Sequence, residues 1–219
     1  MGNSTQDPSS NLTVWYACYG SNLKRSRFDC YVTGGTPLGA KIVNPGARDR
    51  TPPVDSRPVR LGQELYFAGH AQSWGGAPAF IREGRSGEFT YGRMYRITEH
   101  QFNDVVAQEN GLPVDGTRLL PPLEHLISLT DFVLPGNPLY GRLLHIGDAD
   151  GSPVLTFTTG RELAIVAPSR PYVQVIASGL KETYGMSDSQ ICSYLAQAPG
   201  IRDSAIRLQD LAEWVRDAE

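Results

Sequence analysis

An aromatic, apolar run, Val14-Trp15-Tyr16-Ala17-Cys18-Tyr19, is cut off by Gly20-Ser21-Asn22, and helical character follows from Leu23 to about Tyr31. Such a run reads as a buried strand. Gly20 allows a tight turn and lets a ligand approach the backbone, while Ser21 and Asn22 suit the start of a helix. The chain must therefore place a sharp turn and a helix start at the end of an interior strand. The N–H groups of such a start suit a carboxylate or a developing oxyanion. An ordinary strand–helix connection would be written with the same residues, and composition alone does not separate the two.

A second constraint comes from one acid. Thr98-Glu99-His100-Gln101 has the form of a capping box, and Phe102, Val105 and Val106 mark the apolar face of the helix it opens. Gly111 and Pro113 end that helix. Glu109 falls seven residues after Phe102, four after Val105 and three after Val106, which places it on the apolar face. A carboxylate is costly to bury without a partner or a task, and a helix C-terminus disfavours its charge. Both effects raise its pKa toward the range useful for proton transfer. If the helix frays before Glu109, the side chain simply points to water. Glu99, in the first turn, and Asp104, on the polar face, are weaker candidates.

Elsewhere the pattern alternates between strands and helices. Residues 33–60 are rich in Gly, Pro and Arg and read as irregular. Residues 64–71, 78–82 and 89–97 read as strands, with Trp74-Gly75-Gly76 as a turn that walls a pocket or simply ends a core segment. Residues 121–130 and 140–146 are further strand candidates, and residues 154–158 form the second arm of a hairpin across Asp148-Ala149-Asp150-Gly151. A helix starts near Ser169 with Pro171 in its first turn and carries Tyr172, Val173, Ile176 and Leu180 on its inner face. Tyr172 either packs in the core or aims its hydroxyl into a cleft. Ser187 to Gln190 is a second capping box, opening a helix to about Gln197. A last helix is expected from Ser204 to Ala218, with Ile206, Leu208, Leu211 and Trp214 along it. The class is α+β, with a mixed, barrel-like sheet and surrounding helices.

With 219 residues, 40% of them hydrophobic, the chain can bury a full core. A net charge of −3 argues against a nucleic-acid or anionic-membrane surface. The short basic runs, Lys24-Arg25 with Arg27 and Arg48 with Arg50, read as solvated surface. Cys18, Cys30 and Cys192 show no paired spacing, which suits a reducing compartment, and the spacing of Cys and His predicts no zinc site. Residues 1–12 read as a disordered tail and no run approaches the length of a membrane span, so the sequence predicts a cytoplasmic protein. Residues 13–200 are expected to form one domain, with residues 201–219 a C-terminal helix that packs on it or on a partner, which leaves room for a homodimer.

In order and chemistry these elements resemble the γ-glutamylcyclotransferase family. Tyr19-Gly20-Ser21-Asn22-Leu23 is identical to that family's substrate loop after its first strand. Trp74-Gly75-Gly76 is similar to its Trp-Gly-Gly element. Tyr91-Gly92-Arg93-Met94-Tyr95-Arg96-Ile97 is similar to its Gly-x-Val-Tyr strand, and Pro171-Tyr172 with Gly179 resembles its later tyrosine element. Glu109 falls where that family has its catalytic glutamate. The resemblance runs from about Val14 to Gln197 and is weak between Gly111 and Pro168. Two features depart from it: Asn110 intervenes between Glu109 and Gly111, and no tyrosine occurs between Glu109 and Tyr140.

The resemblance implies the family's fold and a cofactor-independent, metal-free cyclisation. The α-amine of a γ-glutamyl group attacks its own side-chain carbonyl, giving 5-oxoproline and a released amine or amino acid. Glu109 would be catalytic, and Tyr19, Gly20, Ser21, Asn22, Leu23, Trp74, Gly75, Gly76 and Tyr172 would bind a small γ-glutamyl substrate. Two alternatives stand beside it: trimming of a γ-glutamyl group from a specialised metabolite or peptide, and a non-catalytic binding protein that keeps the fold.

Overall fold

The computed structural model describes residues 12–37, 43–84 and 87–218. Strand β1 (Thr13–Cys18) is the reason the fold has two cores. Val14, Tyr16 and Cys18 enter one, and Trp15, Ala17 and Tyr19, just past its end, enter the other. A strand covered on both faces has no solvent side, so it reads as a continuous apolar run and not as an alternation.

After β1 come a single turn of 3-10 helix (Ser21–Leu23) and α1 (Arg25–Thr33). There follow β2 (Asp55–Leu61), β3 (Gln63–Phe67), β4 (Ala79–Glu83), β5 (Thr90–Thr98) and α2 (Glu99–Glu109). The second half holds α3 (Leu123–Leu129), β6 (Asp131–Val133), β7 (Arg142–Ala149), β8 (Ser152–Thr158), α4 (Arg170–Tyr184), α5 (Asp188–Leu195) and α6 (Leu208–Arg216). Six strands form a mixed sheet in the order β2-β5-β1-β8-β7-β6, and β3 with β4 makes a separate antiparallel ladder. β1 is antiparallel to β5 and parallel to β8. The Thr158 hydroxyl ties the ladder to the sheet: it accepts from the Ile81 N–H at 3.1 Å and donates to the Ile81 carbonyl at 2.8 Å. This bridge brings β4 of the ladder against β8 of the sheet.

Helices α4, α5 and α6 cover one face, through residues such as Ile176, Leu180, Ile191, Leu195, Leu211 and Val215. Helices α1, α2 and α3 cover the other, where Phe28, Phe102 and Leu126 are fully buried. Both expected capping boxes form. Thr98 Oγ1 accepts from the Gln101 N–H at 3.1 Å while Gln101 Oε1 accepts from the Thr98 N–H at 3.0 Å, and Ser187 with Gln190 repeats the arrangement.

Several local expectations fail. The segment 121–130 holds a helix, α3 (Leu123–Leu129), and not a strand. Pro122 stands at its N-cap and Leu123 and Leu126 turn inward three residues apart, a helical spacing that a short apolar run conceals. The irregular segment 33–60 ends in β2, whose Pro58 and three arginine or serine neighbours disguise an edge strand of the sheet. The last helix is shorter than expected, and Leu208 at its start is 71% exposed. The tail expectation for residues 1–12 lies, apart from Leu12, outside the described residues; the Leu12 carbonyl accepts from the Glu99 N–H. Among the described residues no helix is long and apolar enough to cross a membrane.

Candidate active site

At the end of β1 the chain turns through Gly20, which is required by proximity and not by its backbone angles. A Cβ there would lie 2.9 Å from the Tyr172 hydroxyl. The turn that follows is fixed from several sides. The Leu23 N–H donates to the Gly20 carbonyl, the Tyr95 hydroxyl to the Asn22 carbonyl at 3.0 Å, and the Tyr19 hydroxyl to the Phe157 carbonyl at 2.7 Å. Gly179 of α4 packs so closely under the turn that it admits no side chain. Ser21 and Asn22 are thereby held buried at the floor of a cavity of about 820 Å³.

Glu109 is the last residue of α2, so the helix does not fray before it. Its half-buried carboxyl borders that cavity, and Oε1 accepts from Asn22 Nδ2 at 2.8 Å. Burial pushes its pKa up. The Arg27 charge, the Asn22 amide and the Tyr31 hydroxyl oppose that rise. The other two acids weighed on α2 are both buried against arginines: Glu99 meets Arg118 at 2.5 Å and Asp104 meets Arg48 at 3.1 Å. Asp104 therefore lies inside and not on a polar face, and Arg48 is its partner and not idle surface charge. Glu109 makes no such ion pair among the described residues. It is the acid of this helix that borders the cavity without an arginine ion pair.

Tyr172, in the first turn of α4, reaches the same space. Its hydroxyl accepts from the Ala79 N–H at 3.1 Å, and its ring lies 4.9 Å from that of Trp74. Burial pushes its pKa up to about 12, so at neutral pH it is a phenol. No described acceptor takes its proton, which leaves it available to a ligand oxygen. Burial raises Tyr16, Tyr31 and Tyr140 in the same way, and the Cys18 thiol likewise, which keeps that cysteine from being a thiolate nucleophile.

Of the residues singled out in the sequence, Tyr19, Gly20, Ser21, Asn22, Trp74, Gly75, Glu109 and Tyr172 line the one cavity. Leu23 and Gly76 do not. Leu23 is fully buried in the core beneath the turn. Gly76 permits a close approach of α4, since a Cβ there would lie 2.5 Å from the Ser169 nitrogen. Tyr16, Arg27, Tyr31 and Tyr140 are among the lining residues that sequence reading did not assign to a site. Arg27 and Tyr31 are four apart on α1, a spacing that puts them on one face of the helix. Tyr140 carried no local signal. Asn110 delivers it: Oδ1 accepts from the Tyr140 N–H at 2.8 Å, and Nδ2 donates to the Tyr140 carbonyl at 3.2 Å. The residue that departs from the resembled pattern after Glu109 thus has a structural task. Among the described residues no group of three or more His, Cys, Asp or Glu side chains is placed to hold a metal ion.

No protein-family model matches the sequence. Histone deacetylase 5 of Arabidopsis thaliana is 32% identical over 205 residues, a match that takes in 86% of this chain and 31% of that protein. The chain thus spans less than a third of the length of that relative. Among solved structures, a protein described as a gamma-glutamyl cyclotransferase matches with a TM-score of 0.52 at 17% identity, over 92% of this chain and 98% of the other. An uncharacterized protein from Homo sapiens matches with a TM-score of 0.51 at 16% identity, over 93% and 99%. The architecture is that of the γ-glutamyl cyclotransferase fold.

Proposed function

We infer that the chain is a γ-glutamylcyclotransferase-like enzyme that closes a γ-glutamyl group to 5-oxoproline and releases the amine attached to it. The observation that carries this reading is the Glu109 carboxyl. It borders a cavity, hydrogen-bonds the side chain of the turn after β1, has its pKa raised by burial and has no arginine ion pair among the described residues.

In this reading the α-carboxylate of the substrate lies on the backbone N–H groups of the Gly20–Asn22 turn, where a helix start favours an anion. The chain of the glutamyl group then folds back so that its α-amine faces its own γ-carbonyl. Holding that pose is worth ~7–11 kcal/mol in well-oriented cases. Glu109 takes a proton from the amine as its nitrogen bonds to the carbonyl carbon. It then gives that proton to the departing nitrogen as the old amide bond breaks, so the carboxylate is regenerated. A raised pKa suits both halves of this exchange. The Tyr172 phenol donates to the carbonyl oxygen as negative charge gathers there. A cavity of about 820 Å³ is near the top of the range for sites that hold drug-sized ligands, and this favours a substrate with a sizeable leaving portion.

The test is direct. Wild-type protein incubated with a panel of γ-glutamyl amino acids and γ-glutamyl amines should release 5-oxoproline, and Glu109→Gln should fold normally and lose at least ~10²-fold in turnover. Turnover retained in that variant removes Glu109 from the chemistry. No 5-oxoproline from wild-type with any member of the panel removes the cyclotransferase reading.

A further inference from the structure

Arg27 occupies the cavity wall and makes no ion pair with a described carboxylate, although its charge acts on Glu109. Its neighbours are different: Arg25 pairs with Asp29, Arg93 with Glu182, Arg48 with Asp104 and Arg118 with Glu99. The Arg27 guanidinium carbon lies 4.7 Å from the Tyr31 ring centre and 5.9 Å from that of Trp74. One terminal nitrogen donates to Asn44 Oδ1 at 3.3 Å and the other to the Tyr31 hydroxyl at 3.1 Å. The buried Nε has no acceptor. A guanidinium has five N–H donors, so most of this one's capacity is unused. A planar cation held against aromatic rings, with donors to spare, is a receptor for a planar anion, and a carboxylate fits it best.

Its place in the cavity says which carboxylate. Arg27 lies close enough to Glu109 for its charge to act on that carboxyl, and its other contacts, Asn44 and Trp74, belong to loop segments that line the same cavity. The turn accounts for the α-carboxylate in the reading above. The part of the substrate that extends past Glu109 is the leaving amine. We propose that Arg27 binds a carboxylate on that leaving amine, making it the residue that selects γ-glutamyl amino acids over γ-glutamyl amines that lack the second carboxylate.

This rests on the cyclotransferase reading, and the experiment separates the two. γ-Glutamyl-L-alanine and γ-glutamylethylamide differ only in the carboxylate in question. Wild-type, Arg27→Gln and Arg27→Lys are compared for 5-oxoproline formation from each, with thermal melts to establish that the variants fold. Wild-type should prefer the alanine compound. Arg27→Gln should lose about 30-fold more kcat/KM on the alanine compound than on the ethylamide, the worth of one hydrogen-bonded ion pair. Arg27→Lys, which keeps the charge but not the fork, should fall between and decides the matter if the glutamine variant does not fold. Equal losses on both compounds, or a wild-type without preference, overturn the assignment. Wild-type that makes 5-oxoproline from neither compound sinks the catalytic reading by itself. Calorimetric titration with the same pair then decides Arg27: weakening confined to γ-glutamyl-L-alanine in Arg27→Gln supports it, and anything else overturns it.

Discussion

Replacing Gly179 with alanine adds one methyl group in the middle of α4, a change that in an exposed helix stabilises by ~1 kcal/mol. Here the added carbon would lie 2.4 Å from Leu23 Cβ, 2.6 Å from the Lys24 nitrogen and 2.7 Å from the Leu23 carbonyl carbon. Carbon atoms rest at about 3.5–4.0 Å, so the turn after β1 must retreat by roughly 1 Å. Two of the three obstructing atoms are backbone, so no side-chain rotation relieves the clash. Overpacking of this kind costs about 1–3 kcal/mol. Set against the gain in helix propensity, the upper part of that range leaves a net loss of about 2 kcal/mol. The functional effect should be larger than the loss of stability suggests. Leu23 moves with Ser21 and Asn22, which carry the N–H groups and the amide that faces Glu109, and a misplacement of ~1 Å can cost ~10²-fold in rate. Urea denaturation followed by circular dichroism reads the first quantity, and 5-oxoproline release by the folded variant reads the second. A variant as stable as wild-type with undiminished turnover would refute the claim that α4 sets the position of the turn.

Tyr172→Phe removes the acceptor for the buried Ala79 N–H and should lower stability by about 1–3 kcal/mol, read as a shift in urea midpoint; an unchanged midpoint would dismiss that bond. The same variant should lower kcat with little change in KM, since the lost donor acts on charge that develops in the transition state. Glu109→Gln, besides losing turnover, should alter the pH dependence of stability. Burial raises the folded-state pKa of Glu109 above the 4.5 of the free carboxyl, so the folded protein holds this proton more tightly than the unfolded chain. Its contribution to stability is full below the unfolded value and is lost as pH rises through the folded one. Relative to wild-type, the glutamine variant should therefore gain stability between pH 4 and pH 7 in paired urea titrations, and a difference that stays constant or shrinks over that interval would contradict the buried setting of the carboxyl.

The sequence exposes those parts of the site whose cause is local. The turn at Gly20-Ser21-Asn22 follows from an abrupt change of residue type, and Glu109 from its period with Phe102, Val105 and Val106. Both capping boxes are likewise written in four consecutive residues. What stayed hidden depends on contacts between distant segments. Arg27 looks like one more basic residue beside Lys24 and Arg25 until Tyr31, Asn44 and Trp74 are seen around it. Tyr140 enters the cavity because Asn110, thirty residues earlier, grips its backbone. Leu23 and Gly76 show the reverse error: they sit in motifs that suggest ligand contact, yet they serve packing, one under the turn and one against the start of α4. α3 reads as a strand because a seven-residue segment is too short for its period to be told from a buried strand.

The parallel pairing of β1 with β8 sets the order in which this fold can be completed on a ribosome. β1 is made before the other strands of its sheet, and β5 can lie alongside it before β8 exists. Its other edge stays open until β8 is made, and Tyr172 and Gly179 arrive later still. At ~5–20 residues per second, the nascent chain carries an uncovered apolar strand edge for on the order of ten seconds. Such an edge invites pairing with another chain. Ribosome-bound chains that stop short of β8 should therefore bind chaperones or aggregate, and the cavity closes only after α4 has followed.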